Sequence, residues 1–291
     1  MEAELVLDAK AELGEGPSWD GKNGVLYWVD IPRGLVHIFE PAKSSDKSIR
    51  AGEYVSCVVP RKSGGVAVTL QHGFYTIDLK SGRTTKLAEV ENDVAGNRFN
   101  DGKCDPAGRY WAGTMDVKEE RASGSLYRLE KKEVQKILSS ITISNGLGWS
   151  PDNRTMYHID TPTRKVSALD YDVLTGDVKN RRTVIDFAGH EQPGSPDGMA
   201  VDAEGMIWVA HWGGYRVTRW NPATGRVLDF VSLPASQVTS CCFGGVNLDD
   251  LYITTARTGL DDQVLSQQLH AGGLFRVRPG LKGQPTCDFD G

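Results

Sequence analysis

Long hydrophobic runs are missing from this 291-residue chain. Nothing approaches the ~20 uninterrupted apolar residues of a membrane span. Cysteine is scarce and unpatterned: Cys57, Cys104, Cys241, Cys242 and Cys287 are odd in number and form no C-x-x-C. Buried reduced thiols are therefore expected, rather than a disulfide framework or a thiolate zinc site. On a strand, adjacent Cys241 and Cys242 would point to opposite faces. No Lys/Arg block occurs, and 33 basic against 38 acidic residues give a net charge of −5. That argues against nucleic acid or a membrane surface as partner. The first residues carry Glu2, Glu4 and Asp8 where a secretory signal would need basic residues and then a greasy run, so the expected compartment is cytoplasmic. G-x-S-x-G is absent, which leaves a serine-hydrolase elbow unsupported. Helical periodicity is faint and confined to Asp261–His270.

What is present is an ordinary globular mix, 39% hydrophobic and 24% charged, with 33 glycines and 13 prolines scattered along the chain. No linker divides it, so residues 1–291 read as one domain. Glycine spread this evenly punctuates many short strands.

One phrase recurs: a polar residue, a short apolar run, a turn rich in Asp, Gly and Asn, then an apolar–aromatic pair. It runs from Glu15 to Leu26-Tyr27, from Asn145 to Met156-Tyr157, and from Asp197 to Ile207-Trp208. Weaker copies run from Ser56 to Val66-Ala67, Asn100 to Tyr110-Trp111 and Ser240 to Leu251-Tyr252. The second members of these pairs, at 27, 67, 111, 157, 208 and 252, are spaced 40, 44, 46, 51 and 44 residues apart. Four short strands per such unit, repeated radially, make a β-propeller blade. The expected fold is all-β: a six-bladed propeller of four antiparallel strands per blade, with the leftover Glu4–Asp8 strand closing the last blade and removing its open edge.

In each unit the polar opening residue lies 11 or 12 positions before the aromatic marker: Glu15, Ser56, Asn100, Asn145, Asp197 and Ser240. Equivalent positions of a radial array converge on its axis. If the opening strand is innermost, these side chains ring one mouth of the channel. Two carboxylates and two amides gathered there would repel or go unsatisfied without a cation between them. The candidate ligands are hard oxygens, which suit Ca²⁺, Mg²⁺ or Mn²⁺ better than a structural zinc. Read singly, Asn145-Gly146 and Asp197-Gly198 are also ordinary turn dipeptides.

Leu13-Gly-Glu-Gly-Pro17, Asn97-Arg-Phe-Asn-Asp-Gly-Lys103, Gly108-Arg-Tyr-Trp-Ala-Gly-Thr-Met115, Ile143-Ser-Asn-Gly-Leu147 and Pro196-Asp-Gly-Met199 together resemble the SMP-30/gluconolactonase family. The resemblance runs in order from Leu13 to the Gly272–Val277 strand. It implies one divalent cation, Ca²⁺ first, with Zn²⁺, Mn²⁺ or Mg²⁺ as alternatives, held by Glu15, Asn145 and Asp197. It further implies that Asp197 doubles as general base and that Arg98 and Asn100 contact substrate. In some relatives a glutamate after the Gly-Thr-Met stretch reaches substrate from a lid; here that register falls on Lys118, beside Glu119 and Glu120. The expected substrate-binding set is Arg98, Asn100, Asp101 and Glu119, with a salt bridge from Arg98 to Asp101 or Asp116 as the competing fate of the guanidinium.

The implied activity is metal-dependent hydrolysis of a sugar lactone, such as gluconolactone, xylonolactone or arabinonolactone, by a monomer. Water attacks the carbonyl, a carboxylate takes its proton, and a fixed guanidinium fork orients hydroxyls or stabilises the oxyanion. The competing functions are a calcium-binding regulatory protein, a hydrolase of other esters or a luciferin-regenerating type of activity, and a protein-interaction propeller. His158 and His211 read as packed histidines, although His211-Trp212 could reach the mouth.

Overall fold

Each recurrence of the phrase opens a blade in the computed structural model, which describes residues 1–189 and 193–291. β1 (Glu4–Leu7) stands before the repeats. Blade one is β2 (Gly14–Asp20), β3 (Val25–Asp30), β4 (Leu35–Glu40) and β5 (Ser45–Arg50). Blade two is β6 (Cys57–Pro60), β7 (Val66–Leu70), β8 (Gly73–Ile77) and β9 (Thr84–Glu89). Blade three is β10 (Asn97–Cys104), β11 (Tyr110–Asp116), β12 (Gly124–Glu130) and β13 (Glu133–Ile141). Blade four is β14 (Ser144–Trp149), β15 (Thr155–Asp160), β16 (Lys165–Tyr171) and β17 (Val178–Asp186). Blade five is β18 (Ser195–Val201), β19 (Ile207–Trp212), β20 (Arg216–Asn221) and β21 (Arg226–Ser232). Blade six is β22 (Val238–Gly244), β23 (Asp250–Thr255) and β24 (Leu274–Val277), completed by β1 in the order β1-β24-β23-β22. The other blades are simple antiparallel meanders. The closure pairs Glu4 with Arg276 and Leu5 with Phe275.

A short helix, α1 (Asp262–Gln267), occupies the one span with helical periodicity, its N-cap Asp261 accepting from the Val264 amide at 2.8 Å. No helix among the described residues is long and apolar enough to cross a membrane.

The repeated phrase has a local cause. In three of the six copies a turn aspartate accepts backbone amides of the hairpin and binds the aromatic marker that follows. Asp20 meets the Tyr27 hydroxyl at 3.1 Å, Asp105 the Trp111 indole N–H at 2.9 Å, and Asp202 the Trp208 indole N–H at 3.0 Å. The markers then enter the packing between blades. The apolar residues gather into six clusters, and Tyr27, Ala67, Trp111, Tyr157, Trp208 and Tyr252 each belong to a different one. Cys241 and Cys242 confirm the alternation: one joins the cluster with Trp208, the other the cluster with Trp19 and Tyr252. All five thiols are free, and burial pushes Cys57 and Cys241 up to about 12 and Cys287 to about 11.

The first strand of every blade is buried almost throughout, whereas the fourth strands β5, β9, β13, β17 and β21 are largely exposed. The opening strands thus form the inner wall of the ring. After β24 the tail crosses the end of this wall opposite the opening residues. Gln284 donates to the Trp149 carbonyl at 3.0 Å, and the Phe289 amide donates to the Pro60 carbonyl at 2.8 Å. Tail residues Gln284–Cys287 line a small cavity of about 100 Å³ there with Ser18, Lys103, Trp149 and Phe243.

Candidate functional site

At the other end, the inner strands frame a cavity of about 480 Å³ lined by Glu15, Arg98, Asn100, Asn145 and Asp197, with Glu119 at its rim. Local irregularity aims these groups. The pairing of the first two strands slips between Glu15 and Ser18, Phe99 and Gly102, Asn145 and Leu147, and Pro196 and Met199. A bulge bends the strand and re-aims a side chain, and Glu15, Asn100, Asn145 and Asp197 each lie at one. Asn145-Gly146 and Asp197-Gly198 are therefore bulged strand, not inter-blade turns. Two aspartates fix the approach to these bulges. Asp30 accepts from the Glu12 and Leu13 amides at 3.0 and 3.3 Å, just ahead of Glu15. Asp160 does the same for Thr142 and Ile143 at 3.2 and 3.0 Å, just ahead of Asn145.

Not all six opening residues reach the cavity. In β6 the pairing runs without a slip, and Ser56 is committed to the Phe99 carbonyl at 2.6 Å and the Tyr54 carbonyl at 3.0 Å. Ser240 packs against Gly198, where an added Cβ would lie 2.1 Å from its hydroxyl. Asp101, expected at the substrate, is also absent from the lining. Its carboxylate accepts from the following Gly102 amide at 2.7 Å and feels Lys103, one step deeper along β10.

Glu119 sits in the left-handed region at φ 60° and faces Arg98 and Asp197 closely enough to influence both. Glu120 and Lys118 instead line a neighbouring depression with Arg121. The lid carboxylate aimed at the cavity is thus Glu119.

Electrostatically the floor is frustrated. Burial, then repulsion from Asp101, raises Glu15 to about 8 despite its hydrogen bond from the Gly16 amide at 2.9 Å. Asp197 is raised well above the usual carboxylate range by burial, then by Glu15, Asp101 and Glu119. Arg98, 8% exposed, is lowered by burial and has no ion-pair partner among the described residues. The competing salt bridge is foreclosed for Asp116, which Arg121 takes at 3.0 Å. Instead Arg98 donates to the Phe99 carbonyl at 2.8 Å and the Asn100 amide oxygen at 2.9 Å. Asn100 donates on to the Ser144 carbonyl at 2.9 Å and the Asn145 amide oxygen at 3.0 Å.

The donor set fits a divalent cation. Two buried carboxylates that make no salt bridge among the described residues, with Arg98 easing Glu15 only in part, are the arrangement such an ion relieves, and the amide oxygen of Asn145 adds a third hard ligand. No three His, Cys, Asp or Glu side chains group around a point among the described residues, so the amide is needed to complete a protein set. Water or substrate would take further positions, the open geometry a reactive metal requires.

His158 and His211 do not take part. His158 bonds Ser144 at 3.0 Å and His211 bonds Thr218 at 2.6 Å; burial lowers them to about 3 and 4. Only Trp212 of the His211-Trp212 pair lines the cavity. Tyr54, Thr161, Ser195 and Thr258 line it too. They lie in loops or outside the repeat's phase, so no sequence signal marked them.

The chain matches the family described as the SMP-30/Gluconolactonase/LRE-like region over residues 13–257. It is 42% identical to regucalcin of Oryctolagus cuniculus over 298 residues, covering 100% of this chain and 99% of the relative. YvrE of Bacillus subtilis, a candidate sugar lactone lactonase by name, is 40% identical over 292 residues with the same coverage. The crystal structure of a calcium-binding protein, regucalcin, from Agrobacterium tumefaciens superposes with a TM-score of 0.93 at 30% identity, covering 99% of this chain and 97% of that one. The match in order and over the full length, with the carboxylates, amides and guanidinium gathered in one cavity, places this protein in the SMP-30/gluconolactonase/LRE-like family.

Proposed function

We propose that this protein hydrolyses a sugar lactone to its aldonic acid, with a divalent cation, Ca²⁺ first, held by Glu15, Asn145 and Asp197. The observation that carries the reading is the convergence, in one cavity, of two buried carboxylates and a buried guanidinium, none of them in a salt bridge among the described residues. A cation alone would need only the acids; Arg98 and Asn100 add donors suited to a polyhydroxylated ligand and its carbonyl. When bound, the cation would polarise that carbonyl or acidify a water.

The chain's own groups do the rest. Asp197 accepts the proton of the attacking water, a step typically worth about 10²–10⁴-fold. Arg98, already fixed by Phe99 and Asn100, offers its remaining N–H groups to substrate oxygens as charge develops. Glu119 approaches from the rim and accepts from substrate hydroxyls. Leu13, Ile31, Met115, Ile143 and Trp212 supply an apolar wall that limits water around the reacting carbonyl.

The test is a panel of γ- and δ-aldonolactones assayed by acid release, on chelated protein with single metals restored. Activity is expected only with metal, and Asp197→Asn should stay nearly inactive even at saturating metal. Full activity in exhaustively chelated protein would overturn the reading. The second reading, a calcium-binding protein of the regucalcin type without turnover, draws support from the names of the relatives. It predicts tight metal binding with every lactone inert. We further expect a cytoplasmic monomer.

A further inference from the structure

We infer that Thr161 is the positioning residue of the cation site: it fixes which end of the Asn145 amide faces the cavity. The inference rests on the proposed cation ligation by Asn145. Thr161 opens the single 3₁₀ turn Thr161–Thr163 that follows β15. Its hydroxyl donates to the Pro196 carbonyl at 2.8 Å. It also accepts from the Asn145 amide nitrogen at 2.8 Å.

The orientation follows from groups that can play only one part. A backbone carbonyl only accepts, so Pro196 claims the one proton of the Thr161 hydroxyl. What the hydroxyl then offers Asn145 is a lone pair, which demands the NH₂ end of the amide. On the other side, the Ser144 carbonyl accepts from Asn100 Nδ2, and Arg98, which only donates, occupies Asn100 Oδ1. Asn100 thus presents N–H to Asn145 and demands its oxygen. Both constraints agree: Oδ1 of Asn145 stays with Asn100 at the cavity, and its second lone pair is left for a cation.

The same hydroxyl ties this ligand to the residue before Asp197, so one side chain holds two ligands from β14 and β18 in fixed relation. Partners that orient a ligand commonly change metal affinity about 10–100-fold when removed. Arg98 is not needed for this, because the Ser144 carbonyl holds Asn100 without it.

The test compares wild type, Thr161→Val, Thr161→Ser and Glu15→Gln by calorimetric titration of chelated protein with Ca²⁺ and Mn²⁺, and by melting temperature with and without metal. Thr161→Val should weaken metal binding about tenfold or more, leave the metal-free melting temperature within about a degree, and recover most of its kcat at saturating metal. Thr161→Ser, which keeps the hydroxyl, should bind like wild type. If Glu15→Gln loses metal while Thr161→Val binds as wild type does, the Thr161 inference is wrong and the cation reading stands. If wild type itself shows neither heat nor a melting shift with either ion, the cation reading has failed and takes this inference with it. Equal weakening in Thr161→Val and Thr161→Ser would also overturn it, since the hydroxyl would then be irrelevant.

Discussion

Glu15 is held above the ordinary carboxylate range by burial first and Asp101 second, and Asp197 by burial first and then by Glu15 and Asp101. A raised folded value means that the folded state binds protons the unfolded chain has already released. The stabilisation this gives is complete below the unfolded value of about 4.5 and is lost as pH rises through the folded value near 8. Buried His158 and His211 work the other way, but only below their unfolded value of 6.5, since above it they are neutral in both states. Between pH 6.5 and 9 the melting temperature of metal-free protein should therefore fall. Saturating metal, by keeping the acids ionised, should flatten that slope and raise the melting temperature most at the alkaline end. Parallel slopes with and without metal, read by calorimetry across the range, would show that the acids do not share a cation site. The phase of these residues was legible because equivalent positions of a radial repeat converge. The exclusion of Asp101 was not, because its direction depends on the bulge that separates Phe99 from Gly102.

At the scale of the strand, the inner elements pack so closely at the bulges of β10, β14 and β18 that a methyl group does not fit. An added Cβ at Gly198 would meet Ser240 Oγ at 2.1 Å and Ser240 Cα at 2.8 Å, backbone as well as side chain. Gly198→Ala is expected to cost about 1–3 kcal/mol by overpacking, seen as a drop of several degrees in melting temperature. It should also weaken metal binding, because the displaced segment carries Asp197. An unchanged melting temperature would refute the close approach. Gly198 could be read from sequence only as half of a turn signal. That signal was misleading: the glycine serves contact between two inner strands rather than reversal of the chain.

On the scale of the molecule, packed interfaces between blades replace a single core, and the ring closes where β1 pairs with β24. β1 supplies that join. Leu5 packs beside the cluster containing Phe275, Leu7 beside the one containing Leu274, and Glu4 accepts from Arg276 at 2.9 Å. Deleting residues 1–8 should expose the β24 edge, lower the melting temperature markedly and promote association through the unpaired strand. A truncated chain that melts like the full one, as a monomer by light scattering, would show that closure contributes little. The exposed ion pair is not the cause, since surface pairs contribute about 0–1 kcal/mol; the half-buried apolar residues Leu5, Val6 and Leu7 are.

The sequence by itself determined the number of blades and the place of each. The signals are short-range: a turn aspartate that binds its own hairpin's aromatic marker, glycine-bearing hairpins, and alternation that sends Cys241 and Cys242 to different interfaces. It also placed Glu15, Asn100, Asn145 and Asp197 around one point, because phase within a repeat is conserved by rotation about the axis. Only the tertiary structure decided that Ser56 and Ser240 leave that ring, that Glu119 rather than Glu120 faces the cavity, that Thr161 orients Asn145, and that the tail crosses the far end of the inner wall. Each of those depends on where a segment from another blade or loop arrives. Such contacts are fixed by packing across the ring, and no local pattern along the chain encodes them.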